Sequence, residues 1–134
     1  MSISEYIGIP YGDHGRSHEA LDCWGLLWLI YKEQLDIGLP SYADRYASAE
    51  DQKDVSHLIH DEMGPWIKIE KEEKADFGDA VLFRIKGEPW HIGVVISCGL
   101  MIHVMKDVNV CLERYDRTMW RHRLLGIYRH KALV

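Results

Sequence analysis

The sequence predicts an α+β protein in which helices come first and an antiparallel sheet follows. Residues 22–35 are apolar on nearly every side of a helix, which is typical of a buried central helix. From Trp66 onward, apolar and polar residues alternate in short segments, as they do in half-buried strands. Helices followed by a run of strands are typical of α+β proteins.

The first half of the chain predicts helices at its start, centre and end. Ser2–Gly8 predicts a short helix, and Gly8–Ala20 is rich in the residues that favour loops. The central helix begins at Asp22 and ends near Gly38–Pro40, which form a stop signal. Ser48–Met63 carries apolar residues on one face only, so it predicts an amphipathic helix.

The second half predicts an antiparallel meander of about five or six strands, with a helical turn at Asp116–His122. The predicted strands are Trp66–Glu70, Ala80–Ile85, His91–Ser97, Leu100–Met105, Val108–Arg114 and Leu124–His130. No linker or repeat interrupts the pattern, and we expect one domain covering residues 1–134.

Composition excludes several classes of partner. The 134 residues are 47% hydrophobic and 28% charged, with a net charge of −5 and no basic stripe. Nucleic acid and membrane are therefore not expected partners. No apolar run reaches the length of about 18 residues that a membrane-spanning helix needs.

The cysteines and the first residues suggest where the chain is made. Three cysteines, at positions 23, 98 and 111, are an odd and widely spaced set, so we expect free thiols in a reducing cytoplasm. Met1–Tyr6 lacks the basic segment and apolar run of a signal peptide. We therefore expect synthesis in the cytoplasm without a signal peptide.

Cys23 is the candidate nucleophile because it stands where a loop becomes the central helix. Unpaired backbone N–H groups and the positive end of the helix dipole favour a thiolate there. This position predicts a lowered thiol pKa and nucleophilic reactivity. The alternative is that Cys23 is a small buried hydrophobic residue.

Two histidines are the candidate partners of the thiol. A three-residue loop at Ser97–Gly99 would put Gly93 opposite His103 and make His91 and His103 diagonal neighbours on one face. A two-residue loop would put them on opposite faces. In the first case His91 can act as general base while His103 orients its ring. Separately satisfied histidines, or a zinc site formed with Cys23, are the alternatives.

Five short segments form a joint pattern: Gly8–Gly12, Asp22–Leu26, Phe77–Phe83, His91–Val95 and Ile102–His103. Together they resemble the NlpC/P60 family of cysteine peptidases, papain-like proteins that cleave peptidoglycan stem peptides. The family has a cysteine, a histidine and a third polar residue in that order, which match Cys23, His91 and His103. The resemblance implies a papain-like fold, with the helix that bears Cys23 packed on the sheet, and it implies no cofactor or metal.

The resemblance also assigns supporting residues. Tyr11 lies twelve residues before Cys23, as in the family, where this tyrosine is thought to hold the thiol or the oxyanion. Asp22, immediately before the nucleophile, is assigned to the same support. The family commonly has serine after the cysteine, whereas this chain has Trp24. That departure concerns the fit of the substrate rather than the nucleophile.

Three further segments of note are Pro40–Tyr42, Met119–Arg121 and Gly126–Arg129. They resemble the peptidase-type proteins of phage tail tips, including lambda-like tail assembly proteins. This resemblance implies a peptidoglycan stem peptide as substrate, other tail-tip proteins as partners, and incorporation into a virion tail after synthesis in a bacterial cytoplasm. The alternatives are a wall amidase delivered by a secretion system, and a structural tail-tip protein whose site is idle.

Overall fold

The computed structural model describes residues 2–48, 52–85 and 88–134. Its α-helices are α1 (Cys23–Ile30), α2 (Gln52–Asp61) and α3 (Thr118–Arg123). Its strands are β1 (Arg16–Ser17), β2 (Ala20–Leu21), β3 (Trp66–Lys68), β4 (Ala80–Ile85), β5 (Glu88–Ser97), β6 (Leu100–Met105), β7 (Val108–Arg114) and β8 (Leu124–His130). Short 3₁₀ helices cover Ile3–Tyr6, Glu72–Lys74 and Lys131–Leu133. Among the described residues, no helix has the length and apolar character needed to cross a bilayer.

The main sheet has six antiparallel strands in the order β3-β8-β4-β5-β6-β7, which confirms the predicted α+β class and strand number. The order differs from a simple meander, because β8 returns across the sheet and lies between β3 and β4. Val81 pairs with Ile127 on one side of β8, and Ile67 pairs with Arg129 on the other. Pairing of strands distant in sequence is decided by packing, and local periodicity carries no information about it.

The ion pair between Asp79 and Arg129 joins β8 to the turn before β4. Asp79 is fully buried, and its two oxygens accept hydrogen bonds from Arg129 Nε and Nη2, each at 2.8 Å. Bidentate pairs of this kind fix orientation as well as contributing energy. The conformation of the Gly78–Asp79 turn also depends on Tyr31, whose hydroxyl donates to the carbonyl of Gly78.

Helix α1 is the buried central helix that the sequence predicts. Leu26, Leu27 and Ile30 are almost inaccessible to solvent and belong to the cluster that includes Val94 and Ile102 of the sheet. The α-helix ends earlier than predicted. It continues as a π-helical turn over Tyr31–Leu35 and stops where Asp36 adopts a left-handed conformation with φ of 55°. A left-handed residue at this position is a common way for a helix to end.

Helix α2 covers the region of the sheet near Cys23. It begins at Gln52 and ends at Asp61, within the predicted Ser48–Met63, and residues 49–51 of that prediction lie outside the described residues. Val55 and Leu58 on its apolar face are buried in one cluster with Cys23 and Trp90. The predicted amphipathic face is therefore the face that packs over the thiol.

The hairpin of β5 and β6 keeps the predicted register but reaches it by a different turn. Val94 pairs with Ile102 and Val95 with Met101, as a three-residue loop would require. The turn itself has two residues, Cys98 and Gly99, and a bulge between Val95 and Ser97 supplies the extra residue. The bulge offsets the shorter turn and leaves both histidines on one face.

Candidate active site

Cys23 is the first residue of α1, and its sulfur lies against strand β5. The backbone N–H groups of Trp24 and Ile92 lie close enough to the Sγ atom to favour its thiolate form. Ile92 directly follows His91 in β5, so the thiol meets the strand at the peptide beside the predicted base. Cys23 is 6% exposed and faces a cleft, so the sulfur is shielded without being sealed inside the core.

Asp22 caps α1 and anchors the preceding loop. Its Oδ1 accepts hydrogen bonds from the Gly25 backbone N–H at 2.8 Å and from Arg16 Nη1 at 2.7 Å. Its Oδ2 accepts from the His14 backbone N–H at 2.9 Å and from the Tyr46 hydroxyl. An ionised carboxylate only accepts hydrogen bonds and cannot donate one to an oxyanion. The contacts of Asp22 therefore fit support of the loop and helix that carry the thiol, and they do not fit donation to an oxyanion.

The two histidines are in direct contact, which was the expectation for a three-residue loop. His91 Nε2 and His103 Nδ1 are 3.0 Å apart, and both residues are almost fully buried. Their rings meet edge to face, with centroids 5.2 Å apart. Among the described hydrogen bonds, none joins the Cys23 sulfur to an imidazole. Because His103 occupies Nε2 of His91, Nδ1 is the atom that remains for proton exchange with the thiol.

Glu113 and Trp120 complete the histidine cluster, and the sequence did not single out either as functional. His103 Nε2 is hydrogen bonded to Glu113 Oε2, and Trp120 Nε1 donates to the same oxygen at 3.2 Å. The indole ring lies 5.4 Å from the His91 centroid and 5.0 Å from that of His103. Cys111 pairs with His103, so alternation along β7 places Glu113 on the same face. That alternation is the signal from which Glu113 could have been found.

Burial shifts the pKa values of the thiol and the imidazoles toward their neutral forms. Burial lowers the pKa of His91 to about 3, with a smaller contribution from His103. Burial also lowers the pKa of His103, and the Glu113 carboxylate partly opposes the shift. The pKa of Cys23 rises to about 12, because burial and the adjacent Asp22 carboxylate both disfavour the thiolate.

The prediction of a lowered Cys23 pKa is therefore wrong for the substrate-free protein. The start of a helix favours a thiolate only modestly, and desolvation of a buried charge is the larger effect. The buried side chains that form one cluster with Cys23 are Tyr46, Val55, Leu58 and Trp90. Both shifts favour a thiol and a neutral imidazole over an ion pair.

Tyr11 lies beside the thiol, but its hydroxyl has another partner. Its ring packs against the cluster that contains Cys23. Its hydroxyl donates to Asp13 Oδ1, and burial together with that bond raises the pKa of the phenol. The position next to the thiol agrees with the family resemblance. The role of Tyr11 in holding an oxyanion stays a prediction.

The cleft beside Cys23 has walls that are mostly aromatic and aliphatic. Side chains that line it include Trp24, Tyr42, Tyr46, Leu82, Ile92, Trp66 and Tyr128. Glu62 also lines it, and this carboxylate accepts hydrogen bonds from the Tyr42 hydroxyl at 3.3 Å and from Arg45 at 3.1 Å. The cleft therefore presents mostly apolar walls next to Cys23.

One group of potential metal ligands lies at the far end of the histidine cluster. Ligand atoms of His103, Cys111 and Glu113 all lie within 4.8 Å of one another. The hydrogen bond between His103 and Glu113 already uses two of these atoms. Structural zinc sites almost always have four protein ligands. We therefore assign no metal to this group.

The chain belongs to the NlpC/P60 family, whose model matches residues 8–129. It is 26% identical over 92% of its length to the probable peptidoglycan endopeptidase LytE of Bacillus subtilis. It is 23% identical over 90% of its length to the murein DD-endopeptidase MepS/murein LD-carboxypeptidase of Escherichia coli K12. A crystal structure of an NlpC/P60 family protein from Bacillus cereus superposes with a TM-score of 0.67 at 24% identity.

The match covers only part of each of these proteins. The chain spans 31% of LytE and 55% of MepS. The structural superposition aligns 93% of this chain with 36% of the Bacillus cereus chain. At this identity the superposition establishes the common fold.

Proposed function

We propose that this protein is a cysteine peptidase that hydrolyses amide bonds in peptidoglycan stem peptides. The observation that carries the proposal is the position of Cys23, which begins α1 at an open cleft beside the peptide that follows His91. The relatives named as peptidoglycan and murein endopeptidases support this substrate. The paired histidines supply the base and orienting group that a thiol nucleophile needs.

The reaction begins with proton transfer from the Cys23 thiol to Nδ1 of His91. The sulfur then forms a bond to the stem-peptide carbonyl carbon, and the carbonyl oxygen becomes an oxyanion. When the carbon–nitrogen bond breaks, His91 returns the proton to the departing amine and a thioester remains. Water hydrolyses the thioester with His91 again acting as base, which releases the carboxylate product and restores the thiol.

Backbone N–H groups stabilise the charges that develop during this sequence. Those of Trp24 and Ile92 face the sulfur and favour the thiolate as it forms. The Cys23 N–H, at the start of α1, is a donor for the oxyanion, and Tyr11 is the second proposed donor. Because the resting site is neutral, the thiolate forms when the bound substrate brings thiol and imidazole together.

We further propose that the protein is made in a bacterial cytoplasm and assembled into a phage tail tip. The support comes from the segments that resemble tail-tip peptidases, since two of them adjoin the site. Trp24 Nε1 donates to the carbonyl of Pro40 at 2.8 Å, and Arg16 donates to Ser41. Trp120, in the segment Met119–Arg121, packs on both histidines. Partners are then other tail-tip proteins.

Digestion of purified sacculi tests the enzymatic proposal. We expect the wild-type protein to release muropeptides with new stem-peptide ends, identified by mass spectrometry, and Cys23→Ala to release none. Cys98→Ala is the matched control, because Cys98 is an exposed thiol in the β5–β6 turn. Equal digestion by wild type and Cys23→Ala would reject Cys23 as nucleophile.

Proteomic analysis of purified phage particles tests the tail-tip proposal. We expect the chain to co-purify with tail proteins in particles and to be absent from the free head fraction. Its absence from particles, combined with release that depends on a secretion system, would instead support a delivered wall amidase. Presence in particles with no digestion of sacculi would support a structural tail-tip protein.

A further inference from the structure

We propose that Glu113 is a positioning residue that sets the tautomers of both histidines and so leaves Nδ1 of His91 free to accept the thiol proton. The inference starts from three linked hydrogen bonds. His91 Nε2 meets His103 Nδ1 at 3.0 Å, His103 Nε2 meets Glu113 Oε2, and Trp120 Nε1 donates to that same oxygen at 3.2 Å. The role in catalysis rests on the proposed function, whereas the tautomers do not.

Glu113 fixes the direction of its own hydrogen bond with His103. An ionised carboxylate has no proton to donate, so the nitrogen that faces it must carry one. The indole N–H of Trp120 can only donate, which marks Oε2 as an acceptor. His103 therefore carries its proton on Nε2, and its Nδ1 has a lone pair as long as the ring is neutral.

The hydrogen bond between the two imidazole rings then determines the tautomer of His91. Because Nδ1 of His103 accepts, Nε2 of His91 must donate, and the single proton of neutral His91 is on Nε2. Burial favours the neutral form of both rings, since it lowers both pKa values. Nδ1 of His91 then has a lone pair, which a general base requires.

The reverse arrangement would disable the base. If a donor faced Nε2 of His103, the His103 proton would move to Nδ1 and would be donated to Nε2 of His91. The proton of His91 would then be on Nδ1, and that atom could not take another from a thiol. The wrong tautomer of a catalytic histidine has a large effect in a serine protease, where it lowers turnover by roughly 10⁴-fold.

Two substitutions at position 113 separate the chemistry from packing. Glu113→Gln keeps an oxygen that can accept from both His103 and Trp120, so we expect the wild-type tautomers. Glu113→Lys presents only donors, so we expect both tautomers to invert. Glu72→Lys is the matched control, since it has the same charge change, the Glu72 and Glu113 side chains are 48% and 43% exposed, and Glu72 pairs with Arg121 of α3.

The primary readout is the ¹⁵N chemical shift of each imidazole nitrogen, which separates protonated from unprotonated atoms in this 15.6 kDa protein at pH 7. We expect the proton of both histidines on Nε2 in wild type, Glu113→Gln and Glu72→Lys. We expect it on Nδ1 in Glu113→Lys. A wild-type His91 with its proton on Nδ1 would overturn the proposal, and so would a folded Glu113→Lys with wild-type tautomers.

If Glu113→Lys does not fold, Glu113→Met gives the same test in weaker form, because methionine removes the strong acceptor without adding a donor. We then expect both tautomers of His103 to be populated, and a single wild-type tautomer would count against Glu113.

On sacculi, we expect Glu113→Lys to lower kcat roughly 10²-fold with little change in KM. If no variant digests sacculi but the shifts behave as expected, the proposed function fails and the tautomer assignment stands.

Discussion

Two buried polar networks support the candidate site, and they differ in whether a charged group lies at their centre. The Asp22 network contains an ion pair, and four donors saturate its two carboxylate oxygens. The histidine network is a chain of single hydrogen bonds between neutral rings, and it ends at the half-exposed Glu113. The first arrangement uses both carboxylate oxygens as acceptors, whereas the second contains imidazole rings that can accept or donate a proton.

The Asp22 network holds the thiol in place, whereas the histidine network is the one that can activate it. A buried charge is tolerated where every lone pair has a partner, and such a saturated group fixes the loop and helix that carry Cys23. A buried imidazole must stay neutral to act as a base, which the shift of the His91 pKa to about 3 achieves. We therefore expect changes in the Asp22 network to alter stability, and changes in the histidine network to alter activity.

Asp22→Ala is expected to have the largest effect on stability. The substitution removes a fully buried partner of Arg16, together with the cap of α1 and the acceptor of the Tyr46 hydroxyl. Breaking a buried pair in this way costs roughly 3–5 kcal/mol, measured as the free energy of unfolding in urea. Asp116→Ala, which breaks an exposed pair with Arg114, should cost no more than about 1 kcal/mol. Equal losses in the two variants would contradict the comparison.

Tyr11→Phe is expected to lower activity without a comparable loss of stability. The ring stays packed against the thiol cluster, whereas the hydroxyl proposed for the oxyanion is lost. Removal of one oxyanion donor lowers kcat by roughly 10²–10³-fold. The kinetics of sacculus digestion measure the effect, with Tyr115→Phe as a control that removes the hydroxyl of a buried residue outside the cleft lining. If Tyr11→Phe behaves like that control, the hydroxyl serves only Asp13.

Acidification is expected to destabilise the protein through the histidine network. The His91 pKa is about 3 in the folded protein, below its ordinary value of 6.5, so between these values the unfolded chain binds a proton that the folded protein does not. His91 therefore contributes its full stabilisation above pH 6.5, and this is lost as the pH falls through that window. The slope reaches at most about 1.4 kcal/mol per pH unit for one histidine.

Urea unfolding between pH 7 and pH 4.5 measures this slope. We expect a smaller slope in His91→Gln than in wild type, because the titrating group is absent. His60→Gln should leave the slope as in wild type, since the His60 side chain is 89% exposed. Parallel curves for wild type and His91→Gln would show that His91 does not carry the effect.

In the hairpin that bears the histidines, the register of the strands could be predicted from the sequence, whereas the turn could not. Alternation located β6, β7 and β8 to the residue, and the predicted register of β5 against β6 is present. The turn was predicted with the wrong length, and the bulge near Ile96 corrects for it. Burial of one face enforces the register, because a slip of one residue would expose the core, whereas the turn can adjust at small cost.

The direction of the Cys23 pKa shift could not be predicted from the neighbouring residues in the sequence, because it comes mainly from burial. The start of a helix can be predicted from the sequence, but the burial of the thiol under Tyr46, Val55 and Trp90 comes from elements far along the chain. Glu113 was missed for a related reason. Its importance arises from pairing between β6 and β7, which places an ordinary strand residue on the nitrogen of His103.

The sequence by itself determined the fold class, the central helix begun by Cys23 and most strand boundaries, because periodicity and helix signals are local properties of the chain. For His91 and His103 it left two pairings open, and the bulge in β5 is what keeps both histidines on one face. Only the tertiary structure decided the place of β8, the neutral state of the thiol and the position of Glu113. Each of these depends on which distant segments exclude water from the same volume, and that depends on packing of the whole chain.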